Sequence, residues 1–253
     1  MTWSPDQYEK FKDERSRPFF DLLALVRPWA GAKVVDLGCG TGELTRTLHR
    51  TVGASETLGI DSSEAMLAKS AAHAGDGVSF ARGDIAELGE GTWDVVYSNA
   101  ALQWLPDHAS LLARLASRLA PEGQLAIQVP ANHDHVSHTI AAEVAEEPAF
   151  QRALGGFVRQ PSVLAPEVYA EILHALGFRE QIVRLQVYGH VLASRADVVE
   201  WVKGTLLTAY QARMPEALYP HYLERYRQRL FEAVDDTRPF FYPFKRILFW
   251  AAR

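Results

Sequence analysis

From Ala32 to Val129 the chain alternates between short apolar runs and helix-patterned segments. Lys33–Leu37, Thr57–Ile60, Val78–Ala81, Trp93–Tyr97 and Gln124–Val129 are too short for stable helices and rich in Val, Ile and Leu, so they read as buried strands. Helical patterns fill the gaps at 42–49, 63–73 and 110–119. Ser62 or Ser63 can cap the second of these, with Glu64 in its first turn, and Asp107 can cap the third. This alternation admits few folds. It predicts a parallel sheet covered by helices and joined by right-handed crossovers.

The rhythm changes after Val129. Residues 139–153 look helical, followed by a looser stretch at Gly155-Gly156. Pro166 opens another helix, which Gly177 stops. Residues 181–190 alternate as a half-exposed strand does, 195–234 are helical and aromatic-rich, and 244–251 suit a final strand. With no internal repeat or linker, we expect a single domain over 1–253. Residues 1–30 form an N-terminal helical segment over the site, and 195–238 form a helical cap insertion.

Composition narrows the function classes. Of 253 residues, 48% are hydrophobic, enough for a large core. The formal net charge is −5 and no Lys/Arg run is present, which argues against a nucleic-acid partner. No apolar stretch approaches the ~20 residues of a membrane span. The opening Met1-Thr2-Trp3-Ser4-Pro5-Asp6 lacks the plan of a signal peptide. The single cysteine, Cys39, rules out an intramolecular disulfide. A cytoplasmic protein that binds no membrane is the expectation.

The chemistry collects where the strands end. Asp36-Leu37-Gly38-Cys39-Gly40-Thr41-Gly42 lies between the first strand and a helix. Gly38 and Gly40 let the backbone turn tightly and approach a ligand, at the sheet edge where open α/β folds bind. The spacing is Gly-x-Gly-x-Gly, whereas a dinucleotide site prefers Gly-x-Gly-x-x-Gly, and position 43 is Glu. A carboxylate would repel a pyrophosphate but not a phosphate-free sulfonium. Asp61, ending the second strand, can accept from two ribose hydroxyls, a role shared with NAD enzymes. Asp84 after the third strand can accept from an adenine amino group, and Ile85 can cover the ring. Ser98-Asn99-Ala100 after the fourth faces the same edge. Each feature alone also fits a tight turn or a helix cap; four in succession point to a ligand edge.

Together these residues resemble the motifs of the class I, Rossmann-like methyltransferases. That resemblance implies a seven-stranded, mostly parallel sheet with an antiparallel last strand, and S-adenosylmethionine as cofactor. It implies that the Asp36–Gly42 motif, with Asp36, Gly38, Cys39 and Gly40, lies at the cofactor's methionine part. It further implies that Asp61 holds the ribose, Ser62 and Met66 flank the adenine, Asp84 and Ile85 bind its rim, and Asn99 completes the edge. A narrower resemblance covers nearly the whole chain. Trp3-Ser4-Pro5-Asp6-Gln7-Tyr8, Glu14-Arg15-Ser16-Arg17-Pro18, Gly59-Ile60-Asp61-Ser62-Ser63, Gln128-Val129-Pro130, Glu200-Trp201-Val202 and the run from Ser98 through Gln103-Trp104-Leu105-Pro106-Asp107-His108 are similar to the trans-aconitate 2-methyltransferases. Thr41 stands where some members carry proline.

That family methylates one carboxylate of an unsaturated tricarboxylic acid. A carboxylate is ionised near pH 7, so no general base is needed, and no nucleophile-base-orienter set is evident. The expected partner is thus a small polycarboxylate. Arg15 and then Arg17 are the candidates to grip it, since arginine can bind a carboxylate with two hydrogen bonds. On one helix the two would point roughly 200° apart, which an extended backbone at Arg17, before Pro18, would relieve. Tyr8, Trp104 and His108 could close the pocket. His133, His135 and His138 do not fall on one helical face, and no metal is expected. The glycine motif reports cofactor and not acceptor. Another small-molecule O, N or C acceptor, an NAD enzyme and a non-catalytic cofactor sensor are therefore the alternatives, and oligomeric state is not readable.

Overall fold

The computed structural model describes residues 12–89 and 91–253, with side chains from Ser16 onward. One seven-stranded sheet organises it, in the order β3-β2-β1-β4-β5-β7-β6. The strands are β1 (Lys33–Leu37), β2 (Glu56–Asp61), β3 (Val78–Arg82), β4 (Trp93–Asn99), β5 (Leu119–Pro130), β6 (Glu180–Leu192) and β7 (Phe240–Ala252). β1 pairs in parallel with β2 and β4, β2 with β3, and β4 with β5; β7 runs antiparallel to β5. The expected antiparallel final strand is present. Val34, Val35 and Leu37 of β1 and Leu125, Ala126 and Ile127 of β5 are wholly buried. A parallel sheet covered on both faces requires such apolar runs.

The helices are α1 (Lys12–Leu23), α2 (Glu43–Val52), α3 (Glu64–Ser70), α4 (His108–Ser117), α5 (Val136–Ala145), α6 (Pro148–Ala153), α7 (Pro166–Ala175), α8 (Ala196–Lys203), α9 (Thr208–Gln211) and α10 (Tyr219–Ala233). Ser63 caps α3, its side chain accepting from Met66 N–H, and Asp107 caps α4 through Ser110 N–H. One expectation sharpens and another changes. The helical stretch at 139–153 is divided between two helices, because Pro148 opens α6 and holds Glu147 before it in extended backbone (φ −62°, ψ 138°). Arg17 is helical, not extended, since α1 carries Pro18 inside it; the relief proposed for the Arg15/Arg17 pair is therefore absent.

The chain divides into two compact units. The sheet unit comprises 15–130, 162–186 and 246–253. In it Phe19 of α1 packs edge-on against Tyr97, whose hydroxyl donates to Phe19 O at 2.8 Å. The buried Gln124 on β5 acts as a clasp. Its Oε1 accepts from Arg27 N and from Trp250 Nε1 (2.8 and 2.9 Å), and its Nε2 donates to Arg27 O (2.9 Å).

The helical unit contains 131–161 and 187–245, more chain than the 195–238 segment expected to form a cap. Its core includes Ile140, Val144, Trp201, Tyr222, Tyr226 and Leu230. Two of its buried tyrosines end on acceptors: Tyr222 Oη donates to Ala141 O at 2.7 Å and Tyr226 Oη to Ser137 O at 2.9 Å. Arg225 and Arg229 of α10 reach Glu147 and Glu143. Among the described residues, no three His, Cys, Asp or Glu converge as metal ligands; His135 and His138 instead share Ser137 Oγ, at 3.0 and 3.1 Å.

Candidate cofactor edge

Four neighbouring strands, β3, β2, β1 and β4, end side by side, with Leu37 level with Ile60, Asp61 with Arg82, and Asp36 with Tyr97. Asp36, Asp61, Asp84 and Asn99 therefore fall on one edge of the sheet unit. The turn after β1 is built by the end of β2. Gly38 N and Cys39 N both donate to Ile60 O, at 2.8 and 3.1 Å. Asp61 Oδ2 accepts from Gly40 N at 2.9 Å, and its Oδ1 accepts from Ser63 N at 2.8 Å. One carboxylate thus positions both the glycine turn and the start of α3. Each oxygen has a second lone pair, so Asp61 retains capacity for hydroxyl donors.

The two glycines are needed for different reasons. Both have positive φ, +80° at Gly38 and +57° at Gly40. A Cβ at position 38 would lie 2.3 Å from Ala101 Cβ, so Gly38 is required by the loop that follows β4. A Cβ at position 40 would meet none of the described residues within 4 Å. Gly40 is the one whose bare α-carbon faces open space.

Asp36 lies beneath the turn, 4% exposed, and accepts from Thr45 Oγ1 at 2.6 Å. Burial pushes its carboxyl up to about 7; the Thr45 hydrogen bond opposes the shift and the Asp61 charge adds to it. Cys39 is buried, and its thiol is pushed up by burial and by the charges of Asp36 and Asp61. It is a protonated small side chain in the turn, not a reactive thiolate. Met66 is buried and Ser62 exposed at the foot of α3. Asp84 is exposed and its Oδ1 accepts from Ala86 N at 2.8 Å, with Ile85 half-buried beside it.

After β4 the chain turns through Ala100 (φ +57°) into a single 3-10 turn, Leu102–Trp104. Trp104 is 43% exposed. His108 is buried with both ring nitrogens engaged: Nε2 lies 2.9 Å from Leu102 O and Nδ1 2.5 Å from Tyr169 Oη. A carbonyl only accepts, so Nε2 carries the proton and Nδ1 accepts from Tyr169, whose oxygen accepts from Leu164 N at 3.2 Å. Burial also lowers the basicity of His108 and favours this neutral form. His108 therefore braces the post-β4 loop against α7. Arg17 lies on α1 and is exposed. Tyr8 and the side chain of Arg15 lie outside the described residues.

Sequence reasoning did not single out Thr45, Ala101 or Tyr169. A Thr inside a helix carries no signal that it binds a strand-end carboxylate nine residues earlier, and Ala101 shows itself only through the missing Cβ of Gly38.

Residues 34–123 match the family model described as a methyltransferase domain. A trans-aconitate 2-methyltransferase from Deinococcus radiodurans is 48% identical, aligned over 100% of this chain and 99% of the relative. One from Methylobacterium nodulans is 41% identical over 99% of this chain and 98% of the relative. The chain belongs to the trans-aconitate 2-methyltransferase family. Solved structures share the fold at lower identity. An S-adenosylmethionine-dependent methyltransferase from Mesorhizobium loti has a TM-score of 0.53 at 22% identity, covering 96% of this chain and all of that one. Phosphoethanolamine N-methyltransferase 2 of Haemonchus contortus, solved with phosphomonomethylethanolamine and S-adenosylhomocysteine, has a TM-score of 0.57 at 18% identity, covering 98% of this chain and 56% of that one. Like the family's fold, this sheet is mostly parallel with β7 reversed.

Proposed function

We propose that this chain transfers the methyl group of S-adenosylmethionine to a carboxylate of trans-aconitate or a related small polycarboxylic acid, forming a methyl ester. End-to-end identity to curated relatives of that activity carries the reading. The sheet edge fits the cofactor: a turn whose Gly40 faces open space, a ribose-compatible carboxylate at Asp61, and no requirement for phosphate contacts beside Glu43.

In this reading Asp36, Gly38, Cys39 and Gly40 form the turn under the methionine end. Asp61 takes the ribose, Ser62 and Met66 the adenine faces, and Asp84 and Ile85 its rim, while Asn99 completes the edge. Asp36 and Cys39 act from beneath, as supports of the turn. Bound there, S-adenosylmethionine supplies an electrophilic methyl group. The acceptor carboxylate is already ionised near pH 7, so the chain has no proton to remove and serves by positioning and by excluding water. Arg15, with Arg17 second, holds an acceptor carboxylate; Trp104 and Tyr8 close over it, and His108 fixes the loop that carries Trp104. Residues 1–30 serve as an N-terminal helical segment over the site, and 195–238 as a helical cap insertion. No described helix is long and apolar enough to cross a membrane; a cytoplasmic enzyme that binds neither membrane nor nucleic acid completes the proposal.

The test is mass spectrometry of products from S-adenosylmethionine and a panel of tricarboxylates, with amine and phenol acceptors as controls. A monomethyl ester of trans-aconitate is the expected product. Turnover of only an amine or phenol would overturn the acceptor assignment. Arg15→Lys keeps the charge but loses the two-pronged geometry. It should lower kcat/KM for trans-aconitate roughly tenfold, ~1.4 kcal/mol, and leave S-adenosylhomocysteine affinity unchanged. Equal efficiency would place the acceptor's cation elsewhere.

A further inference from the structure

The loop after β4 holds a buried acceptor with nothing to accept from. Gln103 Nε2 donates to Ala100 O at 2.7 Å, which fixes the amide, since turning it over would bring two oxygens together. Gln103 Oε1 is buried and has no hydrogen-bond partner among the described residues. Asn99 Oδ1, four residues earlier, is also buried without one. The two differ in what the protein could offer them. Asn99 is level with Gln128 on β5, whose Nε2 is itself a buried donor without a partner. Gln103 has no such neighbour in register. An unpaired buried carbonyl is costly to keep, and the cost is removed if a ligand brings the donor.

Position identifies the donor. Residue 101, between these two, is the one that fills the space left by the missing Cβ of Gly38. The orphan oxygen thus belongs to the loop packed against the glycine turn, while Asp61 and Asp84 lie on the β2 and β3 side of that turn. A polycarboxylate at neutral pH has no N–H to give. The cofactor has three kinds of donor: ribose hydroxyls, the adenine amino group and the α-ammonium of its amino-acid end. The first two suit the carboxylates of Asp61 and Asp84. We infer that Gln103 Oε1, assisted by Asn99, receives the α-ammonium, and that the chain recognises the amino-acid end of its cofactor through this loop. The inference rests on the cofactor reading above and is independent of which acid is methylated.

Calorimetry with two ligands tests it: S-adenosylhomocysteine, and 5′-methylthioadenosine, which keeps the nucleoside and thioether but lacks the amino-acid end. Gln103→Met preserves length and removes the acceptor. It should weaken S-adenosylhomocysteine about tenfold and shift methylthioadenosine less than twofold. Gln103→Glu restores an acceptor but not the tether to Ala100, and should recover most of the S-adenosylhomocysteine affinity. Unchanged S-adenosylhomocysteine affinity in Gln103→Met, or equal losses for both ligands, would overturn the inference. So would a Glu variant, folded by its melting curve, that binds as poorly as the Met variant, because the tether would then be what matters. If the Glu variant does not fold, the two-ligand comparison in the Met variant decides. A parent protein that binds neither ligand would instead overturn the cofactor reading itself.

Discussion

The two units differ in which polar groups they leave unfinished. In the helical unit, Tyr222 and Tyr226 of α10 donate to carbonyls of α5 and arginines of α10 meet glutamates at 143 and 147, while the hydroxyl of Tyr219, buried at the start of α10, has no partner among the described residues. Near its carboxyl edge the sheet unit leaves bonds unfinished. Among the described residues, Asn99 Oδ1 and Gln103 Oε1 have no partner, a Cβ on Gly40 would meet nothing within 4 Å, and Asp36 is buried with a hydroxyl but no cation among its hydrogen-bond partners. An unpaired buried carbonyl oxygen is expensive, and among the described residues both such side-chain oxygens, Asn99 Oδ1 and Gln103 Oε1, lie at the end of β4 and in the loop after it, which marks that edge as a place for a ligand; the unpaired groups elsewhere are nitrogens and the Tyr219 hydroxyl.

The sharpest way to break this contrast is at the glycine turn. Gly38→Val places a Cβ inside Ala101 at a positive φ, and overpacking plus strain should cost about 3–5 kcal/mol. Gly40→Val meets no described residue within 4 Å and carries only the strain of a side chain at φ +57°, about 1–2 kcal/mol, so it should lose less stability than Gly38→Val and lose S-adenosylhomocysteine binding. Melting curves and calorimetry on both variants separate a fold glycine from a ligand glycine; identical behaviour would erase the distinction.

The next effect is on pH dependence, where the units should show opposite signs. Asp36 titrates at about 7 in the folded chain and near 4 when unfolded. The folded state therefore holds the extra proton between those values, and this contribution to stability declines as pH rises from about 4 to about 7. His138, in the helical unit, is lowered to about 3 by burial and by the nearby Arg159. There the unfolded chain holds the extra proton, and stability declines as pH falls from about 6.5 towards 3. The Asp36 contribution is on the order of 4 kcal/mol across its window. Asp36→Asn should flatten the loss on the alkaline side, and His138→Gln the loss on the acidic side. Denaturation series from pH 4 to 8 provide the comparison.

Smaller changes refine it. Asp61→Ala should weaken S-adenosylhomocysteine by ~1–3 kcal/mol. Some of that loss will come through Gly40 and Ser63, whose N–H groups Asp61 holds. Asp61→Asn keeps an acceptor, so it should fall between parent and alanine. At the bottom of the scale, Tyr226→Phe in the helical unit should lower stability by about 1 kcal/mol, because Ser137 O loses its donor, and leave cofactor affinity unchanged. A change in affinity there would show that the helical unit is not mere scaffold.

How much of this was legible in the sequence follows from the range of each signal. Strand positions are local: the Val/Ile/Leu runs lay inside β1 to β5, and Pro166 and Gly177 did bound α7. The break at Glu147-Pro148 was equally local but was outweighed by the helical pattern around it. Pro18 shows the reverse, since helical backbone persists through a residue that disfavours it. Contacts over long separations left no trace in the pattern. Nothing around His108 announced that Leu102 and Tyr169 would occupy its ring. Nor did Gln103 stand out in a run of ordinary residues, because its meaning lies in a partner it lacks.

Gln124 sets a condition on the order of assembly. Its single side chain joins residue 27, near the start of the chain, to Trp250, near the end. A nascent chain emerging from the ribosome can form β1 to β5 with their helices early, but this clasp cannot close until Trp250 has emerged. Contacts of such sequence separation slow folding. During synthesis the flank of β5 that β7 will cover stays uncovered longest, and it is there that a chaperone would have most to protect.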